Sequence, residues 1–313
     1  MSCRLALEDK YQVAFDMFTH PSDDKLYFLS HSHTDHTSGL RQTWSTPEGR
    51  ALIICTDVTK RLMALECKQM IGHNDFEWHA AQYHKHVRAY RLYPTHHCAG
   101  SCAFEILMKD GVRVLYAGDH TDQDLEEIGL SGLVHYAYLD GTMSADPSLW
   151  MPSHKETRRA LSWVMNRFPD LRTICMLTTG LEVLFKPKRG YRVDPLLGKR
   201  CKHALLDQWG APDPTHGTLK ILSTHHQHAT PKPVIYLTCR WFTCRRKALQ
   251  ERRTMVCRDK EGNIRVFVSY HASHYGNSGF RARKQVLQCR ESASECLFDA
   301  NDKDYEVLFS LMH

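Results

Sequence analysis

From Tyr11 to about Thr142 the chain reads as short apolar runs that end in polar loops: Val13 to Phe15, Leu26 to Leu29, Ala51 to Ile54, Val112 to Tyr116 and Tyr136 to Leu139. Short apolar runs bounded by turn residues predict buried strands. Many of these runs lead straight into residues that carry chemistry. Asp16, a histidine cluster opening at His31, Asp119 and Asp140 each come directly after an apolar run. In a layered α/β protein, strand ends deliver side chains to a shared cleft.

Helical periodicity is expected over Asp57 to Cys67 and over Ser153 to Phe168. The second segment opens as Ser153-x-x-Glu156, a capping box in which each side chain satisfies an orphan amide of the first turn. Its apolar positions, Ala160, Leu161, Val164, Met165 and Phe168, recur at helical spacing. From there to about His228 the chain is richer in proline, glycine and basic residues, which points to a second lobe. Apolar runs return at Val234 to Leu237 and Ile264 to Ser269, and the stretch from Cys289 to Asp304 is acidic and weakly patterned.

Composition adds to this picture. With 313 residues, 42% hydrophobic and 24% charged, the chain can bury a sizeable core without cross-links. The start MSCRLALEDKYQ shows no apolar run with a cleavage site, so the 12 cysteines are expected to be reduced thiols in an intracellular, soluble protein, nuclear or cytoplasmic. No apolar stretch approaches the roughly 20 residues that cross a bilayer, so no membrane partner is expected. A net charge of +6 suits a polyanionic partner, although many proteins that bind none carry as much. The 21 histidines are the anomaly, and histidine is a common zinc ligand.

His31-Ser-His33-Thr-Asp35-His36 places three histidines and an aspartate in six positions after the strand-like Leu26 to Ser30. A loop leaving a strand can fold back so that His31 and His33 grip one metal while Asp35 and His36 grip a second, as two-metal hydrolysis requires. Imidazole and carboxylate suit Zn2+, one ion or two, and tolerate Mg2+ or Mn2+. Thr95 to Ser101 adds His97 at a glycine-containing turn, and Leu115 to Asp119 adds an aspartate after a strand, placed to bridge two metals.

The ordered series FDMF with Asp16, FLSHSHTDHTSGL, HHCAGS, LYAGDH and YLDGT resembles the motifs of the DNA-processing metallo-β-lactamase/β-CASP nucleases. VTKRL, TGLEVLF, CRWF and VSYHASHYG extend the likeness over most of the chain. The resemblance implies an α/β fold, a metallo-β-lactamase αββα sandwich with an inserted β-CASP lobe. Residues 1–150 would be the first part of the metallo-β-lactamase domain, 151–250 the β-CASP lobe, and 251–313 a return to the first domain with a divergent end. Carried over by position, it makes His31, His33, His97 and Asp119 the ligands of one metal, and Asp35, His36, Asp119 and His271 those of the other. Asp16 would orient the site from behind the ligands. Asp140 would hydrogen-bond a ligating histidine, and Asp35 and His271 would act on the attacking water and the leaving oxygen.

The family usually has proline where this chain has Ala99, an arginine-containing continuation at His120-Thr121, and threonine at Gly141. None of these is a ligand, so they bear on exonuclease against endonuclease preference. His226 and His228 lie where the resemblance implies a structural zinc element, which Cys201, His203, Cys239 or Cys244 could complete. Basic clusters at Arg158-Arg159, Lys186 to Arg189, Lys199 to Lys202 and Arg245 to Lys247 could line a DNA groove or form a solvated face. Trp241 and Phe242 fit core packing better than base stacking. The expected activity is metal-dependent hydrolysis of DNA phosphodiester bonds in repair or telomere end processing, on single-stranded ends, hairpins or overhangs. An RNA-processing nuclease and a small-molecule thioester or lactam hydrolase are the alternatives, since the first motifs are common to that superfamily.

Overall fold

The apolar runs become strands because a hydrogen-bonded ladder lets them bury their side chains, on both faces for the runs at Val13, Leu26 and Ile53 and only in part for the run at Tyr136. A computed structural model describes residues 8–63, 69–120, 124, 127, 128, 134–140, 152–176, 180–187, 190–195, 197–217, 219–223, 233–238, 254–259, 261–267 and 295–299. Strands β1 (Val13–Phe15), β2 (Leu26–Phe28), β3 (Ile53–Thr56) and β4 (Met70–His73) form a parallel sheet in that order. Every residue of β1, β2 and β3 is buried, as parallel strands covered on both sides must be.

A second sheet comes next as β5 (His79–Ala80), β6 (Val87–Pro94), β7 (Cys102–Met108), β8 (Arg113–Tyr116) and β9 (Tyr136–Tyr138). It is antiparallel from β5 to β8, and β9 adds parallel to β8. The two sheets share one core: Val13, Phe15, Leu26, Phe28 and Ile54 pack against Leu92, Phe104, Ile106, Val114 and Tyr116. Phe15 stacks on both Phe28 and Tyr116, with ring centroids 5.4 and 4.6 Å apart. Ala14, Tyr27, Leu29 and Ile53 point the other way, under Phe18 and Trp44. Helix α1 (Asp57–Met63) leaves β3 directly. The result is the layered sheet-on-sheet arrangement of a metallo-β-lactamase-like fold.

Helix α2 (His154–Arg167) carries the expected capping box, with the Ser153 and Glu156 side chains each accepting the other's backbone amide. It covers a third, mixed sheet of β10 (Thr173–Met176), β11 (Tyr191–Val193), β12 (Leu219–Ser223), β13 (Ile235–Thr238), β14 (Thr254–Arg258), β15 (Ile264–Phe267) and β16 (Glu295–Asp299). The spatial order is β11-β12-β10-β13-β15-β14-β16. Helices α3 (Leu181–Leu184) and α4 (Lys199–Trp209) join its core through Leu181, Leu184, Leu205 and Trp209. Strands β14, β15 and β16 lie beyond residue 250 in sequence and pair within this third sheet.

Two contacts lock the third-sheet unit to the first. Arg61 on α1 pairs with Asp207 on α4 at 2.6 Å, and Leu62, Ala99 and Ala204 form a small apolar cluster between them. They set α4 beside the loops after β2 and β6.

Candidate metal centre

The histidine loop is held by one aspartate. Asp16 ends β1 with φ of 50°, a left-handed conformation in which aspartate is enriched among non-glycine residues. That turn brings its carboxylate under the loop leaving β2. Oδ1 accepts the Ser30 amide at 2.7 Å, while Oδ2 accepts the Ser30 hydroxyl at 2.6 Å, His36 Nδ1 at 2.7 Å and the Tyr116 hydroxyl at 2.8 Å. With its Nδ1–H given to Asp16, His36 is oriented and presents Nε2 to the cleft, the arrangement by which a carboxylate fixes the tautomer of a ligating histidine.

Asp119 reaches the same cleft because Gly118 precedes it. At φ of 57°, a Cβ on Gly118 would sit 2.7 Å from Ser30 Cβ, so only glycine lets this strand end lie against the histidine loop. Gly100, at φ of 77°, does the same for the His97 loop, where a Cβ would meet the Thr59 amide at 2.8 Å. The two oxygens of Asp119 divide between neighbours. Oδ1 lies 3.2 Å from His36 Nε2, and Oδ2 lies 3.3 Å from His97 Nε2 and 3.8 Å from His31 Nε2.

Two groups result, each with its donor atoms within 4.8 Å of one another: His31, His33, His97 and Cys98, and His31, His36 and Asp119. His97 Nε2 and His33 Nδ1 approach to 3.0 Å. His31 is wholly buried; its Nδ1 meets the Ser30 hydroxyl at 2.9 Å, but its Nε2 is buried with no hydrogen-bond partner. Such an orphan is rare in a native core and calls for an occupant. Ligands at about 2.0–2.1 Å from tetrahedral zinc stand about 3.3 Å apart, close to the separations found here. A metal ion therefore fits this donor set.

The electrostatics agree. Burial, and then the neighbouring rings of His97, His33 and His36, hold the His31 pKa well below the ordinary histidine value, so it is a neutral imidazole able to ligate. Burial also pulls His36 down, but hydrogen bonds to Asp119 and Asp16 outweigh it and push its pKa up to about 11. A field that binds a proton this firmly between two carboxylates also favours a cation.

The expected site residues fall into three sets. His31, His33, His36, His97, Asp119 and Asp16 converge. Asp35 does not join either group: its side chain is 79% exposed, with Oδ2 3.7 Å from His36 Nε2. Asp140 is buried directly after β9. His271, His226 and His228 lie outside the described residues, as do Cys239, Cys244, Trp241 and Phe242. Cys201 and His203, proposed partners of a structural zinc, sit half-buried on α4.

Three participants escape the sequence reading. Cys98 is hidden beside the more conspicuous His97, although a thiol next to a candidate ligand is itself a signal. Tyr116, two residues before Gly118, gives none. Glu182, buried on α3, accepts the Ala99 amide through Oε1 at 3.0 Å and the Gly180 amide through Oε2 at 2.7 Å. Burial pushes its carboxyl pKa up, against the pull of those amides. The Ala99 amide that it grips is one that the family's usual proline would not have.

No family model matches the chain. Among curated proteins it is similar to "5' exonuclease Apollo" of Rattus norvegicus, 28% identical over 257 residues, 68% of this chain and 45% of that protein. "DNA cross-link repair protein SNM1" of Arabidopsis thaliana is 28% identical over 151 residues, 46% of this chain and 29% of that protein. "DNA cross-link repair 1A protein" of Mus musculus is 27% identical over 135 residues, 42% of this chain and 12% of that protein. The chain spans less than half the length of these relatives. A solved structure of a protein of unknown function from Enterococcus faecalis V583 shares the fold, with a TM-score of 0.51 and 14% identity over 80% of this chain and 70% of that one. By sequence this chain is a homologue of proteins named 5′ exonuclease Apollo, SNM1 and DNA cross-link repair 1A, which themselves belong to the β-CASP metallo-β-lactamase family.

Proposed function

We propose that this chain is a zinc-dependent nuclease that hydrolyses DNA phosphodiester bonds, with a 5′ exonuclease activity, and that it serves DNA repair or end processing in the nucleus. The observation that carries the reading is the convergence of four imidazoles and the Asp119 carboxylate about the buried His31 Nε2, which has no hydrogen-bond partner. The relatives' names, an exonuclease and DNA cross-link repair proteins, support the substrate class. The imidazole-rich donor set favours Zn2+ over Mg2+ or Mn2+. His31, His33, His97 and Asp119 would hold one ion, and His36, Asp119 and His271 the other, with Asp35 as a further ligand once its exposed carboxylate turns inward. When bound, a divalent metal supplies Lewis-acid stabilisation of phosphoryl oxygens and activates water at neutral pH.

The chain's own residues set the geometry. Asp16 fixes the His36 ring, Glu182 and Gly100 fix the His97 loop, and Gly118 fixes Asp119. Asp35 stands at the mouth, where a carboxylate can take a proton from the attacking water. Asp140 would brace a ligating histidine, and His271 would protonate or stabilise the leaving oxygen. The substrate would lie between the two-sheet unit of residues 1–150 and the third-sheet unit after it, met by exposed basic side chains such as Lys186 and Lys199. Among the described residues, no helix is long and apolar enough to cross a membrane.

The test is a panel: 5′-labelled and 3′-labelled single-stranded DNA, hairpin DNA, matched RNA, and a thioester and a lactam. Release of mononucleotides from the 5′ end of DNA supports the proposal. Preferential RNA cleavage replaces the substrate class, and turnover of only the thioester or lactam replaces the reading altogether.

A further inference from the structure

The basic segment that opens α4 sets one cation against the histidine loop. Arg200 Nη1 donates to the Ser32 carbonyl at 2.5 Å, across 168 residues of sequence. Ser32 is buried between His31 and His33, so this bond ties the guanidinium to the backbone that carries two candidate ligands. The neighbouring cation is committed elsewhere: Lys202 Nζ donates to the Pro195 carbonyl. Arg61 is likewise spent on Asp57 and Asp207. Arg200 alone of these points to the histidine loop.

A guanidinium has five N–H donors, and one carbonyl takes one of them. No carboxylate among the described residues pairs with Arg200, which is half-buried. Holding a partly desolvated cation without an anion costs stability unless an anion arrives. The position is also rigid, because the Arg61–Asp207 pair and the contact of Ala204 with Leu62 and Ala99 fix α4 against the first unit. A planar fork held at fixed distance from a metal centre matches two oxygens of a phosphate.

We propose that Arg200 receives the non-bridging oxygens of one substrate phosphate flanking the scissile bond, and so sets the register of the strand against the metal centre. The inference rests on the nuclease reading above and deepens it. Ser32 acts as the anchor that keeps the fork aimed, and one phosphate is singled out because the anchor allows one reach.

The experiment is cleavage of DNA in which single phosphates on either side of the scissile bond are replaced, one at a time, by neutral methylphosphonates. Wild type is compared with Arg200→Ala and Arg200→Lys, with melting temperature and zinc content measured on each. Neutralising one particular phosphate should slow wild type by about ten- to a hundredfold, the range of a charge-assisted hydrogen bond. Arg200→Ala should be slowed similarly on natural DNA and lose no more when that same phosphate is neutralised. Arg200→Lys, which keeps charge without the fork, should recover part of the rate. A structural role alone would slow the variant equally at every phosphate, leaving the wild-type pattern of penalties intact, and that result overturns the inference. So does wild-type activity in Arg200→Ala. Wild type inert on every nucleic acid overturns the nuclease reading, and this inference with it.

Discussion

Replacing Asp16 by asparagine keeps side-chain volume while changing what the atom pair can accept. In the native protein Oδ2 receives the Ser30 hydroxyl, His36 Nδ1 and the Tyr116 hydroxyl, and Oδ1 receives the Ser30 amide. An asparagine can turn its oxygen to one side or the other. In either pose its NH2 faces at least one N–H or O–H donor, and the Asp16 side chain is only 4% exposed, so water cannot substitute. A buried unsatisfied donor costs about 1–3 kcal/mol and a lost charge-assisted bond about 1.5–3 kcal/mol, which together with partial relaxation gives about 3 kcal/mol. At about 2–4 °C per kcal/mol for a large domain, melting should fall by roughly 6–12 °C. Zinc affinity should weaken by about 10–100-fold, because His36 loses the partner that fixes its ring. Differential scanning fluorimetry and competition with a chromophoric chelator measure both. A variant that melts within about 1 °C of wild type and holds zinc as tightly would show that Asp16 does not organise the loop.

Gly118→Ala forces a left-handed alanine against Ser30 and should cost about 1–3 kcal/mol in chemical denaturation, with weaker zinc binding; an unchanged denaturation midpoint refutes the close approach. Glu182 has a raised carboxyl pKa, so between the ordinary carboxylate value and that raised value the folded state binds more protons than the unfolded chain. Wild-type stability should therefore fall relative to Glu182→Gln as pH rises through that window and the difference be flat above it; a wild-type stability that rises relative to the variant over the same window contradicts the burial argument. His271→Ala should reduce cleavage more than His274→Ala, and the reverse order would show that the histidine motif is misaligned.

The histidine loop is legible in the sequence because it concentrates rare residue types: three histidines and an aspartate in six positions after an apolar run have few uses other than holding a metal. The strands around it are legible too, since β1, β2 and β3 are buried on both faces and so write continuous apolar runs. The capping box of α2 is a local motif, and local chemistry is what a sequence displays most directly. Other features are not legible, for physical reasons. Glu182 and Arg200 act across more than 80 residues through backbone groups, and a bond to a main-chain amide or carbonyl leaves no pattern in side-chain identity. Cys98 is overshadowed by the histidine beside it. The exposure of Asp35 is a rotamer choice within a loop, which spacing does not encode. The place of β14 to β16 in the third sheet depends on which open edge received them, a tertiary outcome that short apolar runs leave undetermined.

The central claim is that the cleft of His31, His36, His97 and Asp119 is a metal-dependent DNA-cleaving centre. The most direct measurement is the rate at which chelator-stripped protein cleaves 5′-labelled single-stranded DNA as Zn2+ is added back, beside Asp119→Asn treated identically. No cleavage is expected without metal, with recovery that saturates as zinc fills the site and no recovery in the variant that lacks the Asp119 carboxylate. Cleavage that survives chelation, or zinc-loaded protein that leaves the DNA intact, would contradict it.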